Sequence, residues 1–577
     1  MYCPGVSNQL LKLAHRLLGG ALGLTCLVAP GCGSSGSPAP AIETRQDAAA
    51  PAGKDAAGST TEPPSSPADA AGTNPDPGTP TPDAGVPEPE AGAPMSDTGT
   101  QTSDAELPPP LPEGAYSNPA AVKIPSFPAR TCPVSAGAST AAVNAAIASC
   151  SMMGGGVVTF APGTYAVGSL HMMSNVKLQL NGATIKGTGT DAAEAPASPI
   201  HCSDDGHRHW HNALIWGEDV TNVAVIGPGT LDGGGLDTNA QKMIAFKGSS
   251  VLQFEDLKQS NTGHFAYLLT GCTDITMAKL TILPSRDGVD LMECSNVNAH
   301  DLSITTGGDD AFALKSDCEM GKPVVTDNVT VTNATLGSGD NALQIGSETW
   351  GNFQNISWSN IMVVNGGKSG IGIQMNDGAV IKNMSYDNIK MTHTSFPIFL
   401  SVTSLLRAPT KTPGHAENIR FSNITASGIV AGNNKSPQET AIIISGEPAS
   451  PHQGIVFNHV MITFPGGGAA TGDPPEGATL NAGVAYNPRF ITPIPAYGLF
   501  IRHAKGVELH DVKLGFGAGE QRPAAIVRDV DGLVLDTFGA QKANGPVLEV
   551  DTVKNLTIRS SAPLPEGVMP MVGKMTF

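Results

Sequence analysis

The chain has 577 residues, of which 33 are Lys or Arg and 51 are Asp or Glu, so its formal net charge is −18. Nucleic-acid binding needs clustered Lys and Arg to neutralise phosphates, and this acidic composition therefore excludes a nucleic-acid partner. Only 5% of the residues are aromatic and 15% are charged, so aliphatic and small side chains must form the core. A fibrous protein and a membrane protein with many spans are also excluded.

The first 32 residues have the pattern of an export signal. Lys12, His15 and Arg16 precede a short apolar run at residues 17–28, and small residues follow before Cys32. This order is typical of secretory signals, and the apolar run is too short to span a bilayer. We expect residues 1–32 to be a signal of lipoprotein type with Cys32 lipidated; ordinary secretion is the alternative. The protein is then an outer-membrane lipoprotein, bound to the membrane only through its lipid, or is secreted.

The next segment, residues 33–114, is rich in Pro, Ala and Gly and contains almost no Leu, Ile, Val or Phe. It cannot bury enough apolar surface to offset the conformational entropy of folding, so we expect it to be disordered. A Pro-rich acidic segment of this kind is semi-extended and acts as a spacer. The folded domain is therefore expected to be residues 115–577.

A short template repeats through that domain: a polar residue or Gly, an aliphatic residue, and then alternation of apolar and polar residues. Spacing between copies is roughly 22 to 36 residues across most of the series, which indicates a repeat fold. The template begins at Asn222, Asp274, Asn296, Asn328, Asn355, Asn383, Asn418, Gly454, Gly506, Gly532 and Asn555. We expect an all-β, right-handed parallel β-helix. The repeated Asn either forms a side-chain ladder or adopts left-handed turns.

An N-terminal helix is expected at residues 139–148, with Ser139 as its N-cap, covering the open end of the solenoid. Six of the nine Cys lie in the folded domain, and an even number in an exported chain suggests disulfides. Cys132 and Cys150 flank the helix, so we predict that they form one. Six Cys allow fifteen connectivities, and the pairing of Cys202, Cys272, Cys294 and Cys318 stays open.

Acidic residues are concentrated in the middle of the repeat. Asp287 and Asp290 close one coil, and Asp309 and Asp310 close the next. Positions one coil apart in a β-helix stack about 4.8 Å from each other, so Asp287, Asp309 and Asp310 should converge on one face. Stacked carboxylates raise the pKa of at least one of them, and glycoside hydrolysis needs one protonated and one ionised carboxyl group. A calcium site or capped turns are the alternatives.

The motifs around these acids resemble glycoside hydrolase family 28, the polygalacturonase family. The resemblance rests on Asp287-Gly288-Val289-Asp290, Gly308-Asp309-Asp310-Ala311-Phe312-Ala313-Leu314-Lys315-Ser316, Ile345-Gly346-Ser347-Glu348 and Gly227-Pro228-Gly229-Thr230-Leu231-Asp232-Gly233, in that family's order along the chain. It implies a pectin-lyase-like solenoid that cleaves galacturonan-type chains with inversion. It also implies that Asp309 is the general acid, while Asp287 and Asp310 position and activate water.

The chain departs from the family at three motifs. Ser285-Arg286-Asp287 replaces the family's Asn-Thr-Asp. Asn341 stands where the family has a His that supports the acid, and Gly372-Ile373-Gln374 replaces the Arg-Ile-Lys that grips the substrate carboxylate. An acidic chain without that pair of cations should bind galacturonate poorly, so we expect a neutral or differently branched polysaccharide. Arg286, Lys315 and Lys368 are the possible substitutes. The remaining substrate-binding candidates are Asp290, Asn341, Gln374, Asn376 and Asp377, with turn residues as the alternative.

A polar insertion before the first of these template copies is rich in His and contains Trp210. Its other notable members are His201, Asp204, Asp205, His207, His209 and His211. Zinc sites use such residues, but this spacing matches no standard structural site. We expect the loop to wall the substrate groove, with an exposed Trp210 stacking on a sugar.

The leading interpretation is an exported, monomeric, inverting glycoside hydrolase with a polysaccharide substrate and neither metal nor cofactor. A polysaccharide lyase using calcium and Arg286 as the base is the first alternative. A non-catalytic carbohydrate-binding β-helix is the second, since the His, Arg and Lys of the family are lost.

Overall fold

The computed structural model describes residues 114–191, 205–283, 286–403, 406–409, 412–430, 440–475, 488, 491 and 493–577. All of them belong to the compact unit Ser66–Phe577. The expected signal, Cys32 and nearly all of the expected linker lie outside the described residues. Within the described ranges, none of the helices has the length and hydropathy needed to cross a membrane.

The described chain is almost entirely β-structure. Helical segments are α1 (Thr140–Met152) and the 3₁₀ turns Pro119–Ala121 and Asp205–His207. The first fifteen strands are β1 (Thr131–Val134), β2 (Gly156–Phe160), β3 (Thr164–Val167), β4 (Leu170–His171), β5 (Val176–Gln179), β6 (Thr184–Gly187), β7 (Ala213–Glu218), β8 (Thr221–Asp232), β9 (Lys242–Lys247), β10 (Ser250–Ser260), β11 (Phe265–Thr270), β12 (Thr273–Ala278), β13 (Thr281–Ile282), β14 (Asp287–Met292) and β15 (Ser295–Thr305). The others are β16 (Phe312–Ser316), β17 (Thr326–Ser338), β18 (Asn341–Thr349), β19 (Phe353–Met375), β20 (Val380–Thr392), β21 (Thr394–Val402), β22 (His415–Ser427), β23 (Ile442–Ser445), β24 (His452–Gly466), β25 (Leu499–Ala518), β26 (Ala525–Asp536), β27 (Gly539–Ala540), β28 (Leu548–Arg559), β29 (Gly567–Val572) and β30 (Met575–Thr576).

These strands wind into a right-handed parallel β-helix, as the repeat predicts. Each strand pairs in parallel with the equivalent strand of the next coil, for example β15 with β17 and β17 with β19. One wall carries the candidate site and is called the site sheet. It comprises β7, β9, β11, β14, β16, β18, residues 369–375 of β19, β21, β23 and the first residues of β25, β26 and β28. At the C-terminal end, β29 and β30 pair antiparallel with β28.

The interior is filled by the inward-facing side chains of every coil, which form one continuous apolar cluster. Stacked positions repeat the same kind of side chain, as in the ring column Trp358, Tyr386, Phe421 and Phe457. Helix α1 packs over the N-terminal end with Val143 and Ile147 fully buried, and Ser139 caps it by accepting from the Ala142 amide. Each coil therefore stabilises its neighbours, and the helix covers the exposed edge.

The predicted Cys132–Cys150 disulfide is confirmed. Cys318 is also disulfide-bonded, and Cys202 lies outside the described residues. Cys272 and Cys294 are instead buried free thiols, so the disulfides that the even number of Cys suggested do not include these two. They occupy stacked interior positions on neighbouring coils, where a Cys side chain serves as a small apolar group.

Both readings of the repeated Asn are confirmed together. Asn296, Asn328, Asn355 and Asn383 all have a left-handed backbone, with φ between 53° and 58°. Their side-chain amides also bond from coil to coil: Asn328 donates to Asn296 at 3.1 Å and Asn383 to Asn355 at 3.0 Å. The corner therefore needs a residue that tolerates positive φ and can bond to its stacked neighbour, and Asn does both.

Candidate active site

Asp287, Asp309 and Asp310 lie together at the edge of the site sheet, as their spacing predicts. The backbone amide of Gly288 donates to the carbonyl of Asp310 at 2.9 Å, and that of Asp309 donates to Arg286 at 2.8 Å. These bonds fix the Asp309–Asp310 turn directly beside the start of β14. The side chain of Asp309 is 26% exposed, whereas those of Asp287 and Asp310 are 2% and 6% exposed. One carboxyl group therefore faces the solvent above a buried pair.

Asp310 is held by the next coil. Asn341, at the start of β18, donates from its side-chain amide to Asp310 Oδ1 at 2.8 Å and from its backbone at 3.3 Å. The Asn341 amide oxygen accepts in turn from Ser369 Oγ at 2.6 Å and from Gln374 Nε2 at 3.5 Å. Burial raises the pKa of Asp310 to about 8, and the negative charge of Asp309 adds to this effect.

A buried cation lies beneath the acids. Lys315 Nζ is 2.7 Å from Asp290 Oδ2 and 3.7 Å from Asp310 Oδ2. Burial acts to lower the pKa of Lys315, but the carboxylates of Asp290 and Asp310 outweigh it and hold that pKa well above its usual value. Burial raises the pKa of Asp290, against the opposing charges of Lys315 and His207. The positive charge of Lys315 therefore partly neutralises the carboxylates of Asp290 and Asp310 within the site.

The side chain of Asp287 faces His264 and Arg286. His264 Nε2 is 3.6 Å from Asp287 Oδ2, and the ring stacks on Phe265 with centroids 4.1 Å apart. The Arg286 guanidinium bonds both to His264 and, at 3.2 Å, to Asp309 Oδ2. Burial raises the pKa of Asp287 well above its usual value, and the charges of Asp309 and Asp290 raise it further. Arg286 thus links the exposed acid to the coil before it.

The buried Asp310 predicts a specific pH dependence of stability. Its folded-state pKa is about 8 against an ordinary value of 3.8, so the folded state retains a proton that the unfolded chain has lost. Stability should therefore fall as pH rises from about 4 to about 8, and an Asp310→Asn variant should lose the part of this slope that Asp310 contributes. Urea unfolding midpoints of both proteins across this pH range measure it. Parallel slopes for the two proteins would contradict the assignment.

One group of acids in the site could hold a metal ion. Carboxylate oxygens of Asp309, Asp310 and Asp340 lie within 4.8 Å of one another. Lys368 forms an ion pair with Asp340, and Arg286 pairs with Asp309, so positive charge is already supplied to two of the three.

The structure corrects the assignment of Asn376 to sugar binding. This residue is fully buried, and its amide donates to Ser347 O at 3.1 Å while its oxygen accepts from Thr403 Oγ1 at 2.9 Å. Asp377 is likewise bound to Arg407, at 2.7 Å. Both residues serve the turn that follows β19. Gln374 lies inside the site beside Asn341, and its contact with a sugar stays a prediction.

Trp210 also differs from the expectation, because it is 1% exposed and cannot stack on a sugar. Its indole donates to Thr270 Oγ1 at 3.2 Å, and Lys247 Nζ lies 4.1 Å from the ring centroid. The loop folds its ring onto the apolar outer face of the site sheet, where burial outweighs exposure. His207 is buried beside it, 3.0 Å from Asp317 and 3.9 Å from Asp290. His201 and Asp204 lie outside the described residues.

Comparison with known proteins identifies the family. The sequence profile of Glycosyl hydrolases family 28 matches residues 158–474, more than half of the chain. The chain belongs to glycosyl hydrolase family 28. It is therefore a polygalacturonase-like glycoside hydrolase, and the resemblance seen in its motifs is confirmed.

Individual family 28 relatives are distant. An endo-polygalacturonase of Pectobacterium carotovorum subsp. carotovorum is 24% identical over 327 residues, which are 51% of this chain and 77% of that protein. An endo-polygalacturonase of Pectobacterium parmentieri is 24% identical over 378 residues, 59% and 89% of the two chains. The solved family 28 exopolygalacturonase of Yersinia enterocolitica shares the fold, with a TM-score of 0.54 at 15% identity, covering 70% of this chain and 78% of that one.

Sequence reasoning missed His264 and Arg407 in this family 28 site. His264 comes directly before Phe265, which pairs with Asp287 across the sheet. Aligning the coils on their paired positions would have placed this His one coil before the acids. Arg407 bonds to both Asp377 and Glu348, and nothing in its local sequence indicates that contact.

Proposed function

We propose that this family 28 member is an exported hydrolase that cleaves a polysaccharide with inversion and accepts a neutral sugar unit at the site of cleavage. The observation that carries the proposal is the arrangement of one partly exposed carboxyl group, Asp309, above two buried ones, Asp287 and Asp310. A glycosidase needs a proton donor that reaches the leaving oxygen and a separate group that activates water.

In the proposed reaction, protonated Asp309 donates its proton to the glycosidic oxygen as the bond to the anomeric carbon breaks. Asp287 and Asp310 hold the attacking water, and the ionised member of this pair accepts the water proton. Water adds directly from the opposite face, so no covalent intermediate forms and the anomeric configuration inverts. The negative charge of Asp309 is among the causes that raise the pKa of both buried acids. When Asp309 carries the proton, that contribution disappears and the buried pair ionises more readily.

In this family a His supports the general acid, and we propose that Arg286 and His264 together take over that role here. Arg286 contacts Asp309 directly, and its other contact is with His264, whose ring is fixed on Phe265. We assign these two residues the positioning of Asp309. Asn341 fills the vacated position and instead fixes Asp310.

Charge supports a neutral sugar. Around the acids, each described Lys or Arg that approaches the site is paired with a carboxylate of this chain: Lys315 with Asp290, Lys368 with Asp340, Arg286 with Asp309 and Arg407 with Asp377. A galacturonate carboxylate would have to compete with these pairs and approach several acids in a low-dielectric site. A neutral or esterified unit avoids that repulsion.

Export is supported by the signal-like pattern of residues 1–32 and by the Cys132–Cys150 disulfide, since disulfides persist in oxidising compartments. We propose that Cys32 carries a lipid and that residues 33–114 act as a spacer for a monomeric catalytic domain. Radiolabelled fatty acid incorporated by the chain but not by a Cys32→Ala variant would support the anchor.

The proposed chemistry predicts free reducing ends without unsaturated products. We would incubate the purified chain with a panel of plant polysaccharides, including galacturonan with free and with methyl-esterified carboxyl groups, and record reducing ends and unsaturated-product absorbance together. Proton NMR of the first product gives the anomeric configuration. Unsaturated product would assign a lyase, and carbohydrate binding without any bond cleavage would assign a binding protein.

A further inference from the structure

On the outer face of the site sheet, two columns of paired positions have apolar residues on both sides of the coils that carry the acids. Along one column of paired positions, the side chains are Ala245, Leu268, Asp290, Ala313, Gln344, Gly372, Phe399, Ile443, Phe500 and Ile526. The neighbouring column changes from apolar to polar and back at the same coils. Phe265 and Phe396 are its apolar residues, and the polar positions between them are Asp287, Asp310, Asn341 and Ser369. The polar stretch spans β14, β16, β18 and the end of β19, so it is about 14 Å long from the first strand to the last.

A folded segment covers the apolar face on the N-terminal side. Trp210, Phe265, Leu268 and Met292 form a buried cluster there, with Trp210 as the cover. The segment that carries Trp210 is fixed by polar contacts, since Lys242 Nζ donates to the carbonyl of Arg208 at 2.7 Å. Arg208 also pairs with Glu319 at 2.8 Å, and His207 pairs with Asp317. A sugar chain cannot lie on this part of the sheet without displacing buried apolar side chains.

A second cover lies on the C-terminal side. Ile491, Ile494 and Ala496 pack on Phe396, Phe399, Ile443, Phe500 and Ile526, and all of these side chains are buried. Arg522 donates to the carbonyls of Ile494 at 3.4 Å and Ala496 at 3.3 Å, and it pairs with Glu520 at 2.9 Å. Glu520 accepts in turn from the amide of Gly468 at 3.2 Å. The buried Arg522–Glu520 ion pair therefore holds residues 494–496 of this cover and also bonds to the amide of Gly468.

Access to the acids comes from the turns that precede the strands. Within the polar stretch, the side chains of Asp309, Arg286 and Asp340 are 26%, 20% and 17% exposed, while Asp290 and Ser369 are buried. Among the described residues, covers therefore close the outer face of the site sheet on both sides of the acids along the solenoid. A continuous polysaccharide lying along this face needs open sheet on both sides of the acids, whereas the end of a chain needs only the polar stretch.

We propose that this enzyme acts on chain ends and releases short products, and the inference rests on the hydrolytic function proposed above. By mass action, the initial rate below saturation follows the concentration of ends. Halving the mean chain length at constant mass concentration should therefore raise the rate about twofold. An enzyme that cuts internal bonds would give an unchanged rate, because the concentration of bonds is almost the same.

The test compares viscosity and reducing ends during digestion of methyl-esterified galacturonan. We expect reducing ends to accumulate while viscosity falls slowly, one short product to dominate from the start, and chains blocked at both ends by a bulky group to remain intact. An early collapse of viscosity, or cleavage of the blocked chains, would overturn the proposal while leaving hydrolysis established. Absence of reducing ends from every glycan would instead refute the proposed function, and chain-end action with it.

A binding measurement makes the inference independent of turnover. The Asp309→Asn variant should bind esterified galacturonan oligosaccharides with free ends in a calorimeter and should not bind the same oligosaccharides blocked at both ends. Equal binding of the two sets would contradict the proposed action on chain ends. Binding of neither set would refute the proposed substrate class together with this inference.

Discussion

The Asp309→Asn variant is expected to lose hydrolysis almost completely while it folds normally. A positioned general acid contributes about 100- to 10,000-fold to the rate, and Asn cannot donate the proton that the leaving oxygen needs. The side chain of Asp309 is partly exposed and its removal leaves no buried unpaired charge, so stability should change little. The loss should appear in kcat, measured from reducing-end release, with KM almost unchanged.

A matched control separates catalysis from general charge effects. Asp301 is an exposed acid on β15. Its carboxylate accepts from His300 Nδ1 at 2.9 Å and from Asn333 Nδ2 at 3.4 Å, both at the surface. Asp301→Asn removes the same charge from the same region of the solenoid and should retain full activity. A residual activity of Asp309→Asn equal to that of Asp301→Asn would show that Asp309 is not the acid.

The Lys315→Met variant is expected to lose a large part of the stability. Its ammonium group lies between Asp290 and Asp310, and all three side chains are buried. Removing one partner of a buried ion pair leaves an uncompensated charge and typically costs about 3–5 kcal/mol. Urea unfolding of the purified chain at pH 7, with the same protein concentration for each variant, measures the change.

Two companion variants test the cause. Lys390 is exposed on β20, so Lys390→Met should have a small effect. Adding Asp290→Asn to Lys315→Met removes one of the stranded carboxylates and should restore part of the lost stability. A loss below about 1 kcal/mol for Lys315→Met, the range of exposed ion pairs, would mean that the buried pair is not formed.

The sequence predicts the parts of this molecule that the repeat determines. Asp287 and Asp310 are adjacent because paired positions recur at every coil, and one coil separates them. The same recurrence of paired positions stacks one Asn on the next at the corner, and so predicts the Asn ladder. Cys132 and Cys150 could be paired because a short helix separates them and brings both to the end of the solenoid.

The loops are where prediction fails, because their conformation depends on surfaces far away in the sequence. Trp210 reads as an exposed residue in a polar segment, yet the apolar outer positions Phe265 and Leu268 provide a surface that buries it. The outward-facing Phe399 and Phe500 look like ordinary strand residues until Ile494 is seen to cover them. The local sequence shows which residues are apolar, but it does not show which distant residue each of them packs against.

The most direct test of the account is the ratio of kcat/KM for reducing-end release from methyl-esterified and de-esterified galacturonan of the same chain length. The two substrates differ only in the charge of the carboxyl groups, and the site's cations are paired with Asp290, Asp309 and Asp340. The account predicts a preference of about tenfold or more for the esterified chain, because like charges facing each other cost several kcal/mol. A preference for the de-esterified chain would contradict it, since a cation of the site would then be binding the galacturonate carboxylate.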